Sequence, residues 1–229
     1  MLVQVLNRIL TRLKGSSYVI DPHIPVGYLV RLSFQRMVML LRGKMSFIQH
    51  SGLFFIGKNT TIRAKKLISV GSGVSIDDQC YVDALSRNGI ALGNNVSLGK
   101  RTVIECTGSI KNLGHGLRTG DNVGLGRDCF YGCAGGVIIG SGTIIGNFVS
   151  FHSENHNIAD KEVEIRLQGV SHKGIVIGKD CWIGAKATIL DGAIIGDGCV
   201  IAAGAVVGSG VYDSYKVYGG IPAKKMKDR

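Results

Sequence analysis

No Cys-x-x-Cys pair occurs in this sequence. Its six cysteines therefore lack the paired spacing of zinc modules and dithiol redox sites. Acid is scarce at the amino end, where residues 1–50 hold seven Lys and Arg against one acid, Asp21. An uncharged hydrophobic run long enough to span a membrane is also missing: the apolar stretch 26–41 is short and is interrupted by Arg31 and Arg36. The arginines and the shortness of the first apolar run argue against a cleaved signal peptide. The net charge is +11, yet no nucleic-acid recognition motif or aromatic platform accompanies it, so nucleic acid is not the expected partner. The placement of the cations points instead to anionic lipid or an anionic substrate.

What is present is a period of six. Residues 174–208 place Ile177, Ile183, Ile189, Ile195, Ile201 and Val207 at successive sixth positions. Four residues after the first five come Cys181, Ala187, Ala193, Cys199 and Ala205. One large and one small apolar site per six residues fits neither a 3.6-residue helix nor an alternating strand. It fits a solenoid of short strands joined by tight turns. Upstream, the same phase runs through Ile56 and Ile62, through Val70, Ile76 and Val82, and through Leu92, Leu98 and Ile104. It continues at Leu125 and Tyr131, then at Ile139, Ile145 and Phe151. Three hexads make one triangular coil, stacked about 4.8 Å from the next. Residues ~55–212 thus read as a parallel β-helix of about seven or eight coils, an all-β solenoid. The abundant glycine, 34 residues, suits a turn at every corner.

The period also accounts for most of the cysteines. Cys80, Cys129, Cys181 and Cys199 fall on the small inward site, where a free thiol packs as a small hydrophobe. Cys106 and Cys133 fall off it. Unpaired cysteines suit a reducing, cytoplasmic compartment.

Before the solenoid, residues 1–50 read as helical. Leu2, Val3, Val5, Leu6, Ile9, Leu10 and Leu13 share one face of a helix that stops at Gly15. A second helix is expected from Pro25 to Gly43. This segment reads as a cap over the first coil, as a pair of helices lying on the inner face of the cell membrane, or as both. The solenoid domain then spans residues 51–212, and a basic tail follows at 213–229. Within it, residues 153–173 break the repeat with a polar, charged excursion, and function tends to sit on such excursions.

The run from Phe151 to Leu190 resembles the hexapeptide-repeat acetyltransferases, among them the galactoside and maltose acetyltransferases and the O-acetyltransferases of surface polysaccharides. The matching features are Asn155-His156 before a charged loop, Ser171 and Lys173 before the returning strand, and Ile177 to Ala185 with Trp182 inside it. The ending Gly219-Gly220-Ile221-Pro222-Ala223-Lys224 matches that family's usual close. The resemblance covers residues ~55–226 and sets the hand of the solenoid as left.

The resemblance implies direct acetyl transfer from acetyl-CoA, with His156 as general base. An imidazole titrates near neutrality, so it can accept a proton at working pH. Glu154, Asp160 and Glu162 are nearby candidates to orient it. His152, Asn155 and His115 are candidates for contacting the acceptor. The family's CoA groove lies between solenoids of a homotrimer, and the matching residues here are Trp182, Gly184, Ala185, Ala202, Ala203 and Gly204. Pro222, Lys224, Lys225 and Lys227 follow in the tail, where lysines can meet phosphates. The implied acceptor is a sugar hydroxyl on a nucleotide or lipid carrier, with N-acetylation of a nucleotide-linked amino sugar as the alternative.

Two other classes compete. A γ-type carbonic anhydrase shares the fold and holds zinc with three histidines; His115, His152 and His156 imitate that set, but the last two are four residues apart where five are needed. No metal is therefore expected. A non-catalytic scaffold leaves His156 in its charged loop and the Gly-Gly-Ile-Pro-Ala-Lys ending unexplained.

Overall fold

The computed structural model describes residues 3, 4, 6–8, 11, 19–46 and 48–229. The described positions from Val3 to Thr11 are helical, while Leu2, Val5, Ile9, Leu10, Arg12, Leu13, Lys14 and Gly15 lie outside the described residues. From Gln49 onward the chain winds as a left-handed parallel β-helix of three sheets. Each coil contributes one short strand to each sheet. Seven coils are complete, and an eighth begins with Gly210–Tyr212 and Lys216–Gly219.

The hexad pattern is the register of this stack. Ile177 pairs with Ile195, Ile183 with Ile201, and Ile189 with Val207. Earlier, Val70 pairs with Leu92, Ile76 with Leu98, and Val82 with Ile104. Each column points into the prism, and these side chains are buried. Removal of one such side chain from water contributes about 1.5–3 kcal/mol. Corner residues often take a left-handed backbone, as at Asn59, Asn95, Asn122 and Asp128, with φ of 53°, 55°, 57° and 56°. Short Asn and Asp side chains tolerate that conformation. Asn95 also donates its side-chain amide to the Asn122 side-chain oxygen one coil on, at 3.2 Å.

All six cysteines are free and buried. Cys106 and Cys133 add to the sequence reading. They stand off the small site, yet they too face the interior, just past Glu105 and Gly132 of the third sheet. A buried thiol needs only an inward corner, and the hexad is not the only source of one.

The helix Val26–Lys44 lies across the first coil, against the strand Phe54–Ile56. Gly43 makes this approach feasible, because a Cβ there would come within 1.9 Å of the Phe54 carbonyl oxygen. Ser46 then turns the chain, donating its hydroxyl to the Gly43 carbonyl at 2.7 Å and accepting from the Ile48 amide at 3.3 Å.

Three excursions leave the solenoid at 84–89, 106–116 and 153–174, all at the corner between the third and first sheets. The carboxyl end also differs from the expected tail. Lys216–Gly219 extends the second sheet, and Lys224–Asp228 folds back on it as an antiparallel strand. The hexads end there because a hairpin, not another coil, closes the edge.

Candidate functional site

The excursion 153–174 opens as a hairpin, with Asn155–His156 antiparallel to Val170–Ser171. Asp191, buried in the next coil, anchors both of its arms. The Asp191 carboxylate accepts the Lys173 amide at 2.8 and 3.0 Å, the Gly174 amide at 2.8 Å, and the Asn155 side-chain amide at 3.3 Å. Ser153, also buried, pins the outgoing end by donating to the Gly132 carbonyl at 2.7 Å and accepting from the Gly135 amide at 2.9 Å. Further out the loop closes around Gln168. Its side-chain amide donates to the Asp160 and Val163 carbonyls, both at 2.7 Å, and its side-chain oxygen accepts from the Asp160 amide at 3.1 Å. The sequence reads this loop as polar; in the structure its polar groups bond among themselves, while Ile158, Val163, Ile165 and Leu167 are exposed.

His156 is exposed on this anchored hairpin, and its ring has no hydrogen-bond partner among the described residues. The three carboxylates named beside it do not orient it. The Asp160 carboxylate accepts the Glu162 amide at 2.9 Å. Glu162 is itself exposed. Glu154 lines a separate cavity of about 160 Å³ with Glu105, Phe130 and His152. That cavity has a simple origin. Glu105, Gly132 and His152 stack in register on the third sheet, and Gly132, lacking a side chain, leaves room between the acid and the imidazole that the Phe130 ring partly fills, since a Cβ there would lie 3.0 Å from that ring. The His152 ring covers Phe130, with centroids 5.5 Å apart. His115 is not brought to His152 or His156; its ring meets His172 edge-on at 5.1 Å. Among the described residues no three His, Cys, Asp or Glu gather to hold a metal ion.

The second cluster forms at the corner between the second and third sheets. Trp182 is 57% exposed, between Ile144 and Val200 in register. Gly184 is buried, and a Cβ on it would reach 2.5 Å from the Ala203 amide. Beside it Ala185, Ala203 and Gly204 form an exposed edge nearly free of side chains, with the Gly204 amide donating to the Ala185 carbonyl at 2.9 Å. Ala202 donates to the Tyr218 carbonyl and Ala223 to the Val206 carbonyl, each at 2.8 Å, so the C-terminal hairpin and exposed Pro222 border the same edge. The lysines there differ. Lys225 and Lys216 share the Asp228 carboxylate at 2.9 and 2.6 Å, and the hydrogen bond from Lys216 holds that acid down to about 2. Lys224 and Lys227 are exposed with no carboxylate partner among the described residues.

The structure therefore gathers the residues matched to the CoA groove, and it sets His156 apart from them. These residues line one edge of the third sheet, and the His156 hairpin leaves from the other. Asp191, Ser153, Glu105 and Phe130 escape the sequence reading. Asp191 left no signal of its own, because the next hexad carries an acid, Asp197, at the same position. The other three look ordinary until the coils stack.

Residues 174–209 match the family model for the bacterial transferase hexapeptide (six repeats). A probable acetyltransferase of Mycobacterium tuberculosis, Rv3034c, is 32% identical over 195 residues, which covers 83% of this chain and 55% of that protein. The chain thus spans little more than half the length of this curated relative. Among solved structures, AntD, an N-acyltransferase from Bacillus cereus in complex with dTDP and 3-hydroxybutyryl-CoA, is 19% identical with a TM-score of 0.55, over 81% of this chain and 86% of that one. A variant of AntD with dTDP and coenzyme A is 20% identical with a TM-score of 0.54, over 82% and 88%. At these identities the likeness concerns the fold. The matched repeat, the three-sheet coil and this shared fold agree: the chain is a hexapeptide-repeat protein wound as a left-handed β-helix.

Proposed function

We propose that the protein is an acetyltransferase moving acetyl from acetyl-CoA to the hydroxyl of a sugar. The observation that carries this reading is the pair of edges just described. One is a side-chain-poor edge with an exposed indole and free lysines; the other holds an imidazole on an anchored hairpin. A pantetheine arm needs close backbone approach and an apolar wall, which Gly184, Ala185, Gly204 and Trp182 supply. Its phosphates need cations, which Lys224 and Lys227 supply.

In the proposed step His156 takes the proton of the acceptor hydroxyl while its oxygen attacks the thioester carbonyl. The C–S bond then breaks, and the departing CoA sulfur receives a proton. Backbone N–H groups at the groove edge are the available donors for the developing oxyanion. No residue is acylated, and the step calls on no metal. A rigid solenoid cannot fold one edge onto the other, so the groove of one copy would meet the His156 hairpin of the next. A cyclic homotrimer satisfies this, and the exposed Ile158, Val163, Ile165 and Leu167 give the hairpin loop an apolar surface for that contact. We further propose a nucleotide- or lipid-linked sugar of surface-polysaccharide assembly as acceptor. The fold shared with AntD, which was solved with dTDP and CoA ligands, favours a second reading, N-acylation of an amino sugar on a nucleotide. Incubation with acetyl-CoA and a panel of sugars, nucleotide-sugars and amino-sugar nucleotides, read by CoA release and product mass, separates the two. Absence of any CoA binding would defeat both.

A further inference from the structure

The helix over the first coil is apolar on two opposite sides. Leu29, Met39 and Gly43 face the solenoid and are buried. Val26, Val30, Phe34, Met37, Leu41 and Met45 face outward, each between 52% and 74% exposed. Their spacings of four, four, three, four and four residues keep them within an arc of about 100° of the helix. This is a continuous stripe along the whole helix, not scattered surface residues. Arg31 and Arg42 project beyond one margin of it, and Lys44 stands at the other; all three are exposed.

The surrounding charge is one-sided. Over residues 1–76 eleven Lys and Arg stand against one acid, Asp21, so this third of the chain carries ten of its eleven net positive charges. No Asp or Glu occurs between Pro22 and Ile76. A second copy seated on the stripe would bring cation against cation with no acid of this region to pair them. Among the described residues no helix is long and apolar enough to cross a membrane. An apolar stripe with cationic margins fits a surface that is apolar below and anionic above.

We propose that the outward face of this helix docks the protein on an anionic lipid surface, with Phe34, Met37 and Leu41 at the acyl boundary and Arg31, Arg42 and Lys44 among the headgroups. The contact does not depend on the proposed acetyl transfer, because the helix lies at the first coil and the His156 hairpin leaves the fifth.

The test uses the full chain and vesicles of phosphatidylglycerol and phosphatidylcholine mixed one part to two, beside vesicles of phosphatidylcholine alone. Sedimentation with the mixed vesicles should be strong and fall as salt rises; phosphatidylcholine alone should retain little. Replacing both Arg31 and Arg42 by Gln should weaken the partition about 25-fold, about fivefold for each cation near the surface. F34S/L41S should weaken it by about tenfold or more. Both pairs are exposed, so circular dichroism should be unchanged. Three results would overturn the proposal: equal binding to the two vesicles, unchanged binding of F34S/L41S, or a smaller oligomer for F34S/L41S than for the parent chain, which would place a second copy on the stripe.

Discussion

Asp191 grips the backbone of Lys173 with both carboxylate oxygens, at 2.8 and 3.0 Å, from one coil further along the solenoid. It also holds Gly174 and the side chain of Asn155, so one buried acid ties both arms of the hairpin that carries His156. Precise placement of a base is worth much of its catalytic effect, so in the proposed reaction Asp191 acts as a positioning residue for His156.

Asp191→Ala should therefore lower turnover by about 10- to 100-fold, while acetyl-CoA affinity stays near the parent value. Asp191→Asn keeps one acceptor oxygen and should recover part of the loss. Hydrogen exchange at Lys173 and Gly174 should quicken in the Ala variant. Unchanged exchange there would show that the acid does not hold the loop.

For His156→Ala the expected loss in turnover is ~10²–10⁴, again with CoA affinity nearly unchanged, because a general base acts in the chemical step. Trp182→Ala should behave in the opposite way, weakening CoA binding with a smaller effect on turnover of saturated enzyme. Isothermal titration and steady-state rates on the two variants read this contrast. Near-normal turnover of His156→Ala would direct the search to His152, which shares a cavity with Glu105 and Glu154.

The interior offers a stability test. Tyr131 is fully buried and stacked on Phe151, with ring centroids 4.9 Å apart. Its hydroxyl has no hydrogen-bond partner of good geometry among the described residues, and the thiols of Cys129 and Cys133 lie beside it. Burial of an unsatisfied hydroxyl costs about 1–3 kcal/mol, so Tyr131→Phe should raise the melting temperature. Phe151→Ala should lower stability by about 3–5 kcal/mol. Thermal unfolding of the two variants checks both directions, and a lower Tm for Tyr131→Phe would contradict the first.

Acid should loosen the C-terminal hairpin before the solenoid. The hydrogen bonds from Lys216 and then Lys225 hold the Asp228 carboxyl at about 2, below its ordinary value of 3.8. A lowered folded-state pKa means that the contribution is complete above about 4 and is lost as pH falls toward about 2. Amide exchange in Lys224–Asp228 should therefore quicken over that window, and Asp228→Asn should abolish the pH dependence. The pairs are exposed, so the solenoid's own unfolding should scarcely move.

The period of six was enough to name the inward columns. Ile177, Ile183, Ile189, Ile195, Ile201 and Val207 are all buried, as are Cys181, Ala187, Ala193, Cys199 and Ala205. A repeat constrains its core this tightly because each inward side chain packs mainly on its equivalents in the coils above and below. The long helix was legible too, from Pro25 at its start and the apolar stretch behind it. Its second apolar face was harder to see, since a string of apolar residues does not say which of them the solenoid will cover. Cys106 and Cys133 show the converse limit, because residues outside the hexad can still turn inward at a corner.

By itself the sequence determined the solenoid, its core and the identity of the chemical groups, because these follow from a short period and from residue types. Only the tertiary structure decided how those groups meet. Three insertions of unequal length leave one corner, so sequence separation says nothing about which of their side chains touch. Backbone hydrogen bonds between successive coils bring Asp191 beneath Ser153, set Glu105 across a gap from His152, and turn His115 onto His172. The same winding sends the His156 hairpin to one edge of the third sheet and Trp182 with Gly204 to the other. The rotation of the chain about the solenoid axis fixes that separation, and the linear order of residues does not display it.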